Sequence, residues 1–144
     1  MTRVDEFFQL ILSLDLNHQL KIHPESAYGI NQCVLNSYNY KHNSPMERVE
    51  KLSENKAKDI FLEFFYLPVK SIINPETHFN VIDVYYTGSR LIYNELIEDL
   101  GDTFNPEKLY EWRMNYYNRL QGESYSQGLW IERLSKIKSY FKHK

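Results

Sequence analysis

The chain has 144 residues, a formal charge of −2 and one cysteine, Cys33. That length suits one ordinary domain with a core of its own, and a single thiol excludes both a disulfide framework and a zinc–cysteine site. Twelve Tyr, 8 Phe and 2 Trp among 42% hydrophobic residues exclude a disordered chain, and 17 basic against 19 acidic side chains argue against a nucleic-acid module, which neutralises phosphates with clustered Lys and Arg.

No apolar run approaches the roughly 20 residues that a membrane span requires. The N-terminal stretch MTRVDEFFQLILSLDLN is interrupted by Asp5, Glu6 and Gln9, and no small-residue cleavage site follows. The expectation is cytoplasmic synthesis without a signal peptide, with any release left to a separate system.

Val4, Phe7, Phe8, Ile11 and Leu14 fall on one helical face, with Thr2 as cap and Asp5 at the capping-box position. That spacing predicts a helix from about residue 3 to about residue 14. The stretch from Asp15 to Ala27 has no period and reads as a loop. Ile30, Cys33, Val34 and Tyr38 suggest a second helix, with Cys33 as a buried core thiol. After the Asn43-Ser44-Pro45 break, Met46, Val49 and Leu52 suggest a short helix. Ser53 caps the next, which carries Ala57, Ile60, Phe61, Phe64 and Phe65 and stops at Pro68. Being apolar nearly all round at its end, it is expected at the centre of the core.

Asn74-Pro75-Glu76 is a helix start, and Gly88 a stop. Leu91 to Leu100 form another helix, ended by Gly101. Asn105-Pro106-Glu107 repeats the start signal for a helix carrying Leu109, Trp112, Arg113, Tyr116, Tyr117 and Leu120. Gly122 breaks the chain, and Leu129 to Phe141 make the last helix. Arg133, Lys136, Lys138, Lys142 and Lys144 give it a basic side, which reads as a solvated face or as a surface for an anionic partner. Asp83, inside an aromatic helix, needs a partner if buried, and Arg113 and Arg133 are the candidates. His18 and His23 are five apart with no third ligand nearby, so no metal is expected. The whole reads as an all-α single domain, residues 1–144, of seven or eight short helices.

Three stretches together resemble the phage-type N-acetylmuramidases of glycoside hydrolase family 108. Glu25-Ser26-Ala27-Tyr28-Gly29-Ile30 is similar to that family's Thr-x-Tyr-Gly-Ile segment, with Ser26 in place of Thr. Ile60-Phe61-Leu62-Glu63-Phe64-Phe65-Tyr66-Leu67-Pro68-Val69 resembles its Ile-Tyr and Tyr-Trp-x-Pro-Ile pattern. Arg113-x-x-Tyr116-Tyr117-x-x-Leu120, followed by Tyr125-x-x-Gly128-Leu129-Trp130-x-x-Arg133, resembles its Arg-x-x-Tyr-Tyr run and closing Gly-Trp-x-x-Arg. The resemblance implies a lysozyme-like fold, the glycan strand of peptidoglycan as partner, and no cofactor.

Lysozyme chemistry needs a carboxylic acid kept protonated near neutral pH to protonate the glycosidic oxygen. In the family that acid is the Glu of a Glu-Gly-Gly-Tyr motif just after the first helix. Here Asp15-Leu16-Asn17-His18 stands in its place. Asp is one methylene shorter, about 1.5 Å less reach, and a misplacement of about 1 Å can cost about 100-fold in rate. The resemblance implies Asp15 as general acid, Ser26 as a water-positioning hydroxyl and Glu25 as a spare carboxylate. Tyr28, Tyr117 and Trp130 would offer aromatic faces to sugar rings. The alternative is a lysozyme-fold protein that has lost hydrolysis and binds a glycan or a protein partner. In that case Asp15 merely ends a helix, Ser26 caps the helix of Tyr28, and the aromatics are core.

Overall fold

The computed structural model describes residues 2–15, 26–101, 104–119 and 124–144. Among them the chain is helical apart from one short β-ribbon, and the helices group into two compact units, Met1–Pro68 and Val69–Lys144.

In the N-terminal unit α1 (Arg3–Asp15) begins with the expected capping box. Thr2 Oγ1 accepts from the Asp5 amide at 3.2 Å and donates to the Asp5 carboxylate at 2.7 Å. Lys58 also reaches that carboxylate at 2.7 Å, and Lys58 with Thr2 holds the Asp5 carboxyl down at about 2. The apolar face of α1 buries Phe7, Phe8, Leu10, Ile11 and Leu14.

The antiparallel strands β1 (Ser26–Ala27) and β2 (Ile30–Asn31) pair Ser26 with Asn31 and Ala27 with Ile30. Ser26 is therefore a strand residue, not a helix cap. Asn31 caps α2 (Gln32–Lys41), its side chain accepting from the Val34 amide at 2.9 Å. Because α2 starts after the ribbon, its buried positions are Leu35 and Asn39, and Cys33 is exposed. The Gln32 amide then serves as a backbone surrogate. It donates to the Glu47 carbonyl at 2.8 Å and accepts from the Val49 amide at 2.9 Å, pinning the segment before α3. The expected short helix there is a single 3-10 turn, Val49–Lys51.

Helix α3 (Glu54–Phe61), capped by Ser53, buries Ala57, Ile60 and Phe61, and Phe61 packs on Phe8 with centroids 5.7 Å apart. It does not end at the centre of the core. Leu62–Tyr66 form one wide π-helical turn, closed by the Leu67 amide on the Leu62 carbonyl at 2.9 Å, and all five residues are half-exposed. The extra residue of a π turn rotates the residues after it out of the α-helical stripe.

In the C-terminal unit the helix buried on every side is α4 (Pro75–Thr87), where Thr77 to Val84 are consecutively buried. Asn74 caps α4 and Asn105 caps α6 (Pro106–Asn118) in the same manner, each side chain accepting an amide three residues on at 2.9 Å. Helices α5 (Arg90–Leu100) and α6 pack on α4, and α7 (Ser124–Lys142) packs on α6. Lys138 and Lys142 lie on the exposed side of α7, but Arg133 is buried and takes no part in a basic face.

These burial patterns separate two substitutions. Cys33→Ala should change stability by less than about 0.5 kcal/mol, and the native thiol should react fully with Ellman's reagent before unfolding. Phe79→Ala, in the buried Thr77–Val84 stretch of α4, should cost about 3–5 kcal/mol in urea denaturation.

Candidate functional site

The N-terminal candidates stand on α1 and the ribbon. Asp15 is the last residue of α1, its side chain outside the described residues. Glu25 also lies outside them, as do His18 and His23. Ser26 on β1 is half-buried. Tyr28 and Gly29 form the two-residue turn between the strands, both with positive φ, 54° and 78°. A two-residue hairpin turn with positive φ at both positions is normally Asn-Gly, because an L side chain with a Cβ is strained there. Tyr28 holds this conformation as a residue 38% exposed.

The other aromatic candidates are in the C-terminal unit, above a buried ionic cluster. Asp83 on α4 is fully buried and receives two guanidiniums. Arg113 on α6 donates to Asp83 Oδ2 at 2.7 Å, and Arg133 on α7 donates to Oδ1 at 2.6 Å and to Oδ2 at 3.1 Å. Arg113 also donates to Asn80 at 2.8 Å and, through Nε and Nη2, to the Tyr117 hydroxyl at 3.1 and 2.7 Å. Burial alone would push the Asp83 carboxyl up; the Arg133 and Arg113 charges outweigh it and hold it below the usual carboxylate range. A carboxylate so held cannot act as a general acid near neutral pH. The expected structural ion pair is present, with both candidate arginines engaged at once.

Beside this cluster, Tyr117 stacks on Trp130 (centroids 6.0 Å, 16° between planes). Trp112 lies parallel to Tyr116 (5.5 Å, 2°), and Tyr116 meets Tyr117 edge-on at 70°. The four rings wall a cleft of about 70 Å³ with Val84, Thr87, Gly88 and Ile92 behind them. A Cβ at Gly88 would stand 2.8 Å from the Val84 carbonyl and 3.1 Å from Ile92 Cβ, so only glycine lets α4 and α5 approach this closely here. Tyr117 is 5% exposed, too deep to serve as an open platform for a sugar ring; Trp130 is half-buried. The linear chain reads Trp112, Tyr116, Tyr117 and Trp130 together as mostly core with a minority facing sugar, and names Tyr117 and Trp130 for that minority. The spacing of 112, 116 and 117 along one helix is the signal that joins them.

A third group lies on α2 and the π turn. Glu63 accepts from His42 Nε2 at 2.9 and 3.0 Å and pairs with Lys41 at 3.3 Å, and His42 first, then Lys41, lowers its carboxyl. Glu47, paired with Lys56, is lowered too. Among the described residues no group of three or more metal-ligating side chains is present.

Two substitutions probe these groups. Asp83→Asn leaves two buried guanidiniums underpaired and should cost about 3–5 kcal/mol at pH 7. Because the folded carboxyl titrates below its unfolded value, its contribution is complete above about pH 4 and is lost as the pH falls through the lowered folded value. The urea-midpoint gap between natural protein and variant should therefore narrow below pH 4, and a constant gap down to pH 2.5 would contradict a charged Asp83. Tyr28→Asn relieves the positive-φ strain and should raise stability by about 1 kcal/mol in thermal melts.

No protein family, no curated protein and no solved structure matches this chain.

Proposed function

We propose that the chain is a lysozyme-like, peptidoglycan-associated protein that cleaves the glycan strand weakly, with Asp15 as general acid. The observation that carries this reading is local. The first helix ends on a carboxylate, and the next described element is a ribbon bearing Ser26 and a strained, partly exposed Tyr28. Strain of that kind collects where a side chain is held for a task rather than for stability. In this scheme Asp15 protonates the glycosidic oxygen, Ser26 orients the water, and Tyr28 offers its ring to a sugar face.

One observation favours the second reading, a lysozyme-fold protein that binds a glycan or protein partner without cutting. Each described carboxyl with a displaced pKa (Asp5, Glu47, Glu63 and Asp83) is displaced downward. An acid catalyst needs the opposite, a carboxyl raised by burial or by a like charge. None of these four is so poised, and the enzymatic reading stays with Asp15 and Glu25.

The two readings part on one assay. Purified natural protein and Asp15→Asn are incubated with peptidoglycan, and new reducing muramic-acid ends are counted. Release by the natural protein, reduced by about 100-fold or more in the variant, supports the muramidase with Asp15 as acid. Equal release by both keeps hydrolysis but removes Asp15 from it. No release by either, from folded protein on several peptidoglycan types, leaves the binding reading.

A further inference from the structure

The end of α7 carries charge of one sign. From Arg133 to Lys144 there are five basic side chains, one histidine and no Asp or Glu. Arg133 turns inward to Asp83, and Lys136 is paired with Glu132 at 3.4 Å. Ser135, Lys138, Ser139 and Lys142 are spaced i, i+3, i+4, i+7, so they share one helical face, and all four are exposed. His143 and Lys144, also exposed, follow at its end. Among the described residues neither Lys138 nor Lys142 meets a carboxylate, whereas Lys41, Lys56, Lys58 and Lys136 each do.

A cation near a helix C-terminus is favoured by the macrodipole, but that preference does not account for the cluster. Helices α1, α4, α5 and α6 end with no basic residue in the last turn, and Lys138 stands a full turn before the end of α7. The charge is also presented in a particular way. Lys138 Nζ lies 5.1 Å from the Tyr110 ring centroid and Lys144 Nζ 5.9 Å from that of Tyr140, contacts that orient the stems without neutralising the heads. The small Ser135 and Ser139 leave the ammoniums projecting. Half-exposed Tyr140 sits among them, an amphipathic ring of the kind that suits a boundary between water and lipid.

Residue type selects the partner. A protein surface or another fixed array of anions is best met by the rigid fork of arginine, and this chain spends Arg113 and Arg133 on such a fixed contact. Lysine is a hydrated point charge on a flexible stem, which suits headgroups that move laterally. Clustered lysines on an amphipathic helix are attracted to an anionic leaflet by about fivefold in binding for each charge. We infer that the exposed end of α7, through Lys138, Lys142 and Lys144, docks the chain on an anionic phospholipid surface. No residue is shared with Asp15, Ser26 or Tyr28.

The test is flotation of the full-length natural protein with vesicles of phosphatidylcholine alone or with one-third phosphatidylglycerol. Binding at least about tenfold tighter to the anionic vesicles, weakening as salt rises, is expected. Lys138→Gln with Lys142→Gln should lower it by about twentyfold, with the thermal melt unchanged because both side chains are exposed. Lys51→Gln with Arg90→Gln removes the same charge from exposed positions outside α7 and should leave binding within about twofold of natural. Equal binding to both vesicle types overturns the proposal, and so does an equal loss in the two double variants, which would mark a net-charge effect. Binding to soluble polyphosphate with no binding to vesicles also overturns it, in favour of a polymeric anion. Peptidoglycan hydrolysis is read in the separate Asp15 assay, so either proposal can fail alone.

Discussion

The C-terminal unit depends on one carboxylate. Asp83 sits on the helix that is buried on every side and holds one guanidinium from α6 and another from α7. Buried ion pairs of this kind add little net stability, since desolvation consumes most of the attraction. Their effect is geometric: an apolar core tolerates sliding, whereas two forked guanidiniums on one carboxylate allow a single register of three helices. The cluster extends outward through the Tyr117 hydroxyl, which accepts twice from Arg113. The ring that forms one wall of the aromatic cleft is thereby fixed from beneath. Charge buried in the core thus sets the shape of a surface feature.

The N-terminal unit solves a different problem with backbone hydrogen bonds. Its loops carry donors and acceptors that no regular ladder satisfies, and short side chains take them up. Asn31 closes the start of α2, Ser53 that of α3, and the Gln32 amide answers both a carbonyl and an amide of the 47–49 segment. This economy lets a four-residue ribbon persist in an otherwise helical unit. It also allows a tyrosine to occupy a turn position where asparagine would be more comfortable. Stability surrendered at one exposed ring is a reason to look for its task.

The helix starts were legible because their chemistry is local. Thr2 with Asp5, and the two Asn-Pro-Glu triplets, act within four residues and need no tertiary context. The Asp83 pairing was legible for another reason: a charge inside an aromatic helix must find a partner. The ribbon was not legible, since two residues per strand show no alternation, although Tyr28-Gly29 bears the glycine of a hairpin turn. The centre of the core was misplaced for a related reason. Phe64, Phe65 and Tyr66 are apolar enough to be buried, and only the wide turn, invisible to a period of 3.6, moves them toward solvent. Cys33 shows how phase matters: shifting the helix start to Gln32 turns the thiol outward and Leu35 inward. For the site, the linear chain singles out residue types that can do acid chemistry, but not their protonation, which depends on burial and neighbouring charge.

The π turn at Leu62–Tyr66 bears on how this chain can change its length. Its closing bond spans five residues where an α-helix spans four, so the turn holds one residue that the helix does not need. Removing one would convert it into an ordinary helical turn with the same two ends. Deleting a residue elsewhere in α3 or α4 would rotate the remaining helix by about 100° and carry buried side chains to the surface. The segment is therefore a place where insertion and deletion are cheap. Chains of this kind should differ in length there before they differ within the helices on either side.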